Sequence, residues 1–540
     1  MAGDAGPERP LPRTAVGWLP HLWRTVLFPA APPGPAGGGT PAGRPVAAFL
    51  LVAVLPAVLL YPCRSFHLFE PDESRYAQIP REMLARGEWV VPTLQGEPYL
   101  DKPPLLYWLV MLSYRAFGVS PESARLVPAV CVHLTVIAVY LLGRRSIGGR
   151  AALWAAVLLT VAPVYIGVAR LLLLDGLLTL CVTLSVVCGF EAVRTGRLKV
   201  GWWVASALAS GLGFLTKGPI SEILLFPPLL AFGFLNGGTA RVGWRHLALF
   251  AGVVVGVNLP WYVAIYRREP QFLGHFFWDH NVMRFLQPFD HLQPVWYYAP
   301  ILLAGLLPGT LLFVPYARAL LFGGPEAAAA RTPAGGFWLL AGGWCVLFFS
   351  LSGSKLPTYV LPAFPFLRLA LGDFVARTKW SASPAARGLV GATAALMITA
   401  HYAGVPWYAR ERSPVGRPEL VERFVTDPGT PVVTYPRNCD SVAYFTGRDD
   451  FAAVRSKDVN QMIVDMHHRP RTVVLFTHRH AFEAFRHALP ESLAVAESVS
   501  LRRHGSKLTS AVDKLVGDTP WGLADVAVIV PAGTARGQKP

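Results

Sequence analysis

Apolar residues gather into runs of membrane-spanning length at about 46–62, 126–143, 151–168, 175–192, 200–216, 219–235, 246–264, 296–316, 337–352, 356–372 and 388–405. The pattern predicts an α-helical polytopic membrane protein with about 11–13 transmembrane helices. A further apolar stretch, LLYWLVMLSYRAFG at 105–118, is short for a span. Its Tyr and Trp residues suit a helix at the membrane–water boundary. Beyond residue 405 the pattern changes. PVVTY, TVVLF and VAVIV read as short buried strands, with helical stretches such as VNQMIVDMHH and HAFEAFRHAL between them. Residues 406–540 therefore predict a small α/β domain whose His467, His468, His478 and His480 solvate its surface. Residues 1–45, rich in Pro, Gly and Arg, predict a disordered cytoplasmic tail followed by a retained first span rather than a cleaved signal.

Short loops at 144–150, 194–199 and 241–245, and the segment 377–387, are rich in arginine and lysine, which places them in the cytoplasm. If 105–118 also crossed, all of these loops would fall outside. With it kept at the interface, the 63–125 loop, the 169–175 connection, Lys217, the 265–295 loop, Lys355 and residues 406–540 all lie on the extracytoplasmic face. Only the basic loops were used for orientation, yet the unusual polar features share one side.

Composition agrees. The chain is 53% hydrophobic and only 15% charged, against about a quarter charged in soluble domains. The net charge of +16 sits in basic loops and tails. No basic–aromatic stripe argues for nucleic acid. Six cysteines show no CxxC spacing, so neither zinc nor redox chemistry is indicated.

The first long outer loop is dense in ionisable groups. In FEPDESRYAQIPREMLARGEW the apolar Tyr76, Ile79, Met83 and Leu84 recur at helical spacing, predicting an amphipathic helix on the membrane surface. Glu82 and Glu88 read as solvating charges. Asp72 and Glu73 adjoin the first span, precede Arg75, and are candidates for chemistry. In VARLLLLDGLLTL, Asp175 beside an apolar span is either functional or the partner of Arg170, and both readings stay open. In YLDKPPLLYW, Pro103 and Pro104 keep Asp101 and Lys102 extended. Lys102, Lys217 and Lys355, with Arg75 and Arg170, gather cations suited to a phosphate. In HFFWDHNVMRF, His275, Asp279, His280 and Arg284 can face one another at helical spacing, as a polar contact set or an aromatic interfacial loop. Nothing resembles a metal motif.

No nucleotide-binding glycine loop is present. Two carboxylates and several cations at an outer interface therefore favour a substrate already carrying phosphate in the membrane, such as a polyprenyl-phosphate sugar. Cations would hold the leaving phosphate and an aspartate would deprotonate the acceptor. A transporter would carry its charges at mid-membrane in repeated halves, which this chain lacks. A membrane-anchored binding protein would not need eleven spans.

The stretch DESRYAQIPREMLARGEWVVPTLQGEPYLDKPPLLYW closely resembles the first outer loop of the aminoarabinose-transferase-like branch of the GT-C glycosyltransferases, relatives of the protein O-mannosyltransferases. RLLLLD, SGSKLPTYVLP and HFFWDHNVMRF resemble that family too, and the likeness covers roughly residues 46–405. It implies inverting transfer from a polyprenyl-phosphate sugar, without a nucleotide sugar, cofactor or obligatory catalytic metal. By this likeness Asp72 is the catalytic acid/base, with Glu73 beside it, and Asp175 a second essential acid. Arg75, Lys102 and Tyr359 contact the lipid phosphate, with Lys355 and Arg170 as neighbouring candidates. Asp101, where the family often has Glu, joins His275, His280 and Arg284 as candidate acceptor or sugar contacts. The acceptor stays open between a lipid A-like lipid, a glycan and a protein, with protein O-mannosylation the alternative reading. The expected location is a bacterial inner membrane.

Overall fold

The computed structural model describes residues 44–287, 291–322, 331–413, 415, 418–478, 480–500 and 525–535. The expected tail at 1–45 lies almost wholly outside the described residues. Five described helices are long and apolar enough to cross a bilayer: Pro121–Ile147, Leu174–Val193, Trp244–Arg268, Pro333–Leu351 and the stretch Pro384–Arg410. Two bent pairs raise the number to seven, Gly149–Thr160 with Pro163–Ala169 (64°) and Tyr298–Gly305 with Gly309–Phe322 (102°). Val46–Leu60, Leu105–Phe117 and Ile220–Leu235 are apolar but shorter. The runs at 151–168 and 296–316 are thus broken, at positions 161–162 and 306–308.

A large apolar core joins these helices, with Val136, Leu159, Val186, Leu225, Phe337 and Leu369 among its buried members. A second core lies under the first loop. There Ile79 and Met83 of the loop helix (Asp72–Arg86) pack with Leu106, Val110 and Met111 of helix Leu105–Phe117 and with Leu177. The loop helix is not a surface helix as the periodicity suggested. Its polar face is covered as well, because residues near 440–450 pack on it: Gln78 Nε2 and Arg81 Nη2 donate to the Arg448 carbonyl at 2.9 and 2.6 Å. Glu82 and Glu88 also do more than solvate. Buried Glu82 accepts from Gln78 and from the backbone N–H groups of Gln95 and Gly96. Glu88 caps Val90 and Val91 and pairs with Arg268. The Gln95–Gly96 turn between β1 (Thr93–Leu94) and β2 (Glu97–Pro98) has φ of 54° and 81°, the positive pair that a tight hairpin requires.

The C-terminal part forms a five-stranded sheet in the order β4-β3-β5-β7-β6. β3 (Val432–Tyr435) is parallel to β4 (Ala452–Ala453) and β5 (Thr472–Phe476). β7 (Asp525–Pro531) runs antiparallel to β5 and β6 (Leu493–Ser500). Alternation sorts its residues: Val432, Val473, Leu475 and Val526 face one core, and Val433, Val474, Phe476 and Ala527 the other. β4 and β6 escaped the sequence reading, one for its brevity and one for its polar, half-exposed pattern. His467 is not simply solvated; its ring contacts the Ile463 carbonyl (2.9 Å) and Ser492 Oγ (2.6 Å).

Candidate active site

The first turn of the loop helix sets two adjacent carboxylates in opposite environments. Asp72 is 41% exposed and 3.4 Å from Arg75 Nη1. Glu73 is buried. Its Oε1 accepts from Arg125 Nε (2.7 Å) and the Leu172 N–H (2.9 Å), and its Oε2 from Arg125 Nη2 (2.8 Å) and the Phe69 N–H (2.9 Å). Four donors fill the lone-pair capacity of a carboxylate. The expectation that Glu73 shares the chemistry is therefore corrected: it is a structural hub. Arg125 carries the hub further, donating to the carbonyls of Arg64 (2.6 Å), Phe66 and His67 (3.1 Å). Through the Leu172 N–H, the same hub ties the loop helix to the start of the helix bearing Asp175.

Arg75 lies over the Tyr99 ring at 5.8 Å. Lys102 follows in the same extended segment, half-buried beside Asp101. These residues form one lip of the site.

The other lip comes from helix ends. Asp175, buried in the first turn of helix Leu174–Val193, accepts from Lys217 Nζ at 2.7 Å, and that ammonium lies 4.5 Å from the Tyr359 ring centroid. Lys217 ends helix Val200–Lys217, and Gly218 (φ 79°) stops it there; a Cβ at that position would sit 3.0 Å from the Phe276 ring. Arg170 is not the partner of Asp175. It is buried and donates to the carbonyls of Leu59 (2.8 Å), Cys63 (2.5 Å) and His401 (3.5 Å), closing the end of the first helix. Lys217→Met should destabilise the protein by about 3 kcal/mol, the low end for removing one partner of a buried pair. Asp175→Asn added to it should recover most of that loss in detergent thermal unfolding. Additive losses would show that the pair is not coupled.

Lys355 is also committed elsewhere. It is buried and donates to the carbonyls of Gln293 (2.9 Å) and Ser352, while its N–H donates to the His291 carbonyl. It staples the 291–293 segment to the end of helix Pro333–Leu351. His275 Nε2 lies 3.1 Å from Asp101, and Nδ1 lies 3.8 Å from Asp279 across one turn of a π-helix (Gly274–Met283). The side chains of His280 and Arg284 lie outside the described residues. Among the described residues no group of three His, Cys, Asp or Glu could hold a metal. Tyr99, Asp101, His275, Trp278 and Asp279 line a cavity of about 810 Å³. A second, apolar cavity of about 630 Å³ runs between the sharply bent pair and helices Pro333–Leu351 and Ala363–Arg377.

Sequence reasoning missed Arg125. The signal was present: an arginine at the start of an apolar run demands a partner. Asp440, buried at the start of helix Asp440–Thr446 and bonded to Gln95 Nε2 at 3.2 Å, left no such mark.

Residues 101–261 match the family model described as dolichyl-phosphate-mannose-protein mannosyltransferase. Two curated relatives are named undecaprenyl phosphate-alpha-4-amino-4-deoxy-L-arabinose arabinosyl transferase. The one from Edwardsiella ictaluri is 34% identical over 388 residues, 67% of this chain and 66% of that protein. The one from Pseudomonas aeruginosa (strain UCBPP-PA14) is 34% identical over 386 residues, 70% and 68%. The chain thus spans about two thirds of the length of these relatives. ArnT from Cupriavidus metallidurans, solved bound to undecaprenyl phosphate, superposes with a TM-score of 0.70 at 21% identity, covering 90% of this chain and 98% of that one. The oligosaccharyltransferase AglB from Archaeoglobus fulgidus superposes at 0.51 and 15% identity, covering 80% and 69%. At these identities the structural likeness is one of fold.

Proposed function

The chain belongs to the undecaprenyl-phosphate aminoarabinose transferase family within the GT-C glycosyltransferases, and from that premise we propose that it moves a sugar from a polyprenyl-phosphate donor to an extracytoplasmic acceptor. The observation that carries the reading is the pair of lips: Asp72–Arg75–Tyr99 on the loop helix side, Asp175–Lys217–Tyr359 on the helix-end side, tied by Glu73. In the reaction, the acceptor oxygen attacks C1 of the sugar and gives its proton to Asp72. The bond from C1 to the phosphate oxygen breaks on the opposite face, inverting the centre. The departing phosphate gains charge, which Arg75 and Lys102 meet with Tyr359 beside them. Arg75 also pairs with Asp72, so a phosphate that engaged Arg75 would loosen its hold on the base. Lys217 holds Asp175 in place. Arg170 and Lys355, which donate to backbone carbonyls, shape the site without touching the donor.

The apolar cavity supports a lipid donor. It is lined by Leu302, Leu306, Phe313, Leu339 and Val346 and reaches Ser350, five residues before Lys355. Arg368 donates to the carbonyls of Leu306 and Leu307 (3.2 Å), satisfying backbone freed by the helix break so that a hydrocarbon wall can form there. In this reading the membrane helices put both lips and the sheet on the extracytoplasmic face of a bacterial inner membrane. The match of residues 101–261 favours protein O-mannosylation as the second reading.

The test is a donor panel. Purified protein in detergent is incubated with polyprenyl-phosphate sugars and membrane extract, and free polyprenyl phosphate and glycosylated product are followed by mass spectrometry. The expected result is release with one donor class and product in the lipid fraction. Product in the protein fraction would favour O-mannosylation. No release with any donor would remove the enzyme reading.

A further inference from the structure

The C-terminal sheet region grips the loop helix at three heights. At the top the Ser441 N–H donates to Glu70 Oε1 at 2.6 Å. In the middle Gln78 and Arg81 hold the Arg448 carbonyl. At the foot Arg86 Nη2 meets Asp449 at 2.8 Å. The top contact lies beside the chemistry, because Glu70 stands two residues before Asp72. Ser441 sits in the first turn of helix Asp440–Thr446, where an N–H has no carbonyl of its own helix to meet. Gln95 of the hairpin fixes that helix start, donating to Asp440 Oδ1 at 3.2 Å.

The turn that carries Asp72 has little of its own to hold it. Pro71 stands at the N-cap and offers no side-chain cap, where Ser, Thr, Asn or Asp would bond the first N–H groups. Two buried carboxylates supply the hold instead. Glu73 Oε2 accepts the Phe69 N–H, while Arg125 and the Leu172 N–H tie Glu73 to the membrane helices. Glu70 Oε2 accepts Ser74 Oγ at 2.5 Å, and that hydroxyl also lies 3.2 Å from the Pro71 carbonyl. The Ser74 N–H closes the turn on the Phe69 carbonyl at 3.1 Å. Glu70, Glu73 and Ser74 are 8%, 2% and 0% exposed, against 41% for the Asp72 side chain. Glu70 and Glu73 are thus two anchors, one set in the C-terminal part and one in the membrane part, and Asp72 is suspended between them.

We propose that Glu70 is a positioning residue for Asp72, through which the C-terminal part of the chain sets the aspartate where it meets the acceptor proton. This rests on the reading of Asp72 as the base. Without the Glu70 carboxyl, one side of the turn is released. The Glu73 side stays tied, so the helix keeps its place while the Asp72 side chain shifts. A displacement of about 1 Å in a reacting group costs about a hundredfold in rate. The phosphate grip is spared, because Arg75 lies over the Tyr99 ring and Lys102 belongs to another segment.

The test separates turnover from donor binding in the full chain in detergent. Turnover is undecaprenyl phosphate set free from the polyprenyl-phosphate sugar that wild type consumes, counted per molecule in the monodisperse gel-filtration peak. Binding is a titration with undecaprenyl phosphate itself. Glu70→Ala should lower turnover about a hundredfold and leave affinity within about threefold. Loss of a merely structural contact would lower the yield of folded protein and leave turnover per folded molecule unchanged. Glu70→Gln should keep turnover within about threefold. Its amide oxygen accepts the Ser441 N–H, and its Nε2 donates to Ser74 Oγ, whose own proton turns to the Pro71 carbonyl. Asp449→Asn, at the exposed foot of the same interface, should behave like wild type.

A folded Glu70→Ala with wild-type turnover overturns the inference. So does a Glu70→Gln as slow as Glu70→Ala, which would assign the effect to charge. If Glu70→Ala does not fold, Ser74→Ala takes its place: it cuts the link from Glu70 to the turn and should lose about tenfold in turnover, and wild-type turnover there overturns the inference. Failure of wild type to release undecaprenyl phosphate from any donor removes the reading of Asp72 and the inference together.

Discussion

Asp72→Asn should lower sugar transfer by about a thousandfold, within the range ascribed to a positioned general base, while donor affinity stays within about threefold and thermal stability within about 0.5 kcal/mol. The three parts belong together. The amide keeps the shape and the contact with Arg75 but cannot take the acceptor proton. The side chain is 41% exposed and its ion pair spans 3.4 Å, so folding loses little when the charge goes. Release of free polyprenyl phosphate measures the first part, donor titration the second, detergent thermal unfolding the third. Equal release by both proteins would remove Asp72 from the chemistry and leave the enzyme class standing.

Glu73→Ala, one residue on, should do the reverse. It strips the partner from buried Arg125 and leaves the N–H groups of Phe69 and Leu172 unmet, a loss of about 3–5 kcal/mol for the ion pair alone. Arg125→Ala should match it, because that guanidinium also holds three carbonyls in the 64–67 connection. Both variants should fail to accumulate as folded protein, seen as loss of the monodisperse peak in detergent gel filtration. A Glu73→Ala protein that folds normally but transfers no sugar would restore Glu73 as a participant in the reaction.

This pair also shows where sequence reading works and where it stops. The helix bearing Asp72 and Glu73 was legible from the spacing of Tyr76, Ile79 and Met83, because a buried face imposes a 3.6-residue period. Which of two adjacent acids is buried and which stays exposed was not, because that depends on Arg125 and Leu172, distant in sequence. Arg170 and Asp175 lie five apart and looked like partners. The chain breaks between them and Lys217 takes the acid, with Gly218 fixing where its helix stops. Lys355 looked like a phosphate ligand by its location and is consumed by carbonyls of a segment 62 residues away. The long apolar runs were visible, but the 102° bend after Gly305 was passed over, although Pro308 and Gly309 mark it in the sequence; Arg368 donates to the two carbonyls it frees. The sheet's three inner strands, β3, β5 and β7, showed themselves as apolar runs. β6, polar and half-exposed, did not.

The order of strands has a consequence for when the molecule becomes an enzyme. β7 is the last-made of the described strands, yet it lies between β5 and β6. Until it leaves the ribosome, β6 has no neighbour, the apolar faces around Val526 and Ile529 are incomplete, and the platform under Ser441 and Arg448 is unfinished. The membrane helices and the first loop are made long before, with Asp72 in place but its grip from above still absent. A chain cut short before residue 525 therefore lacks the strand that joins β5 to β6, and β6 is left without its only described sheet neighbour.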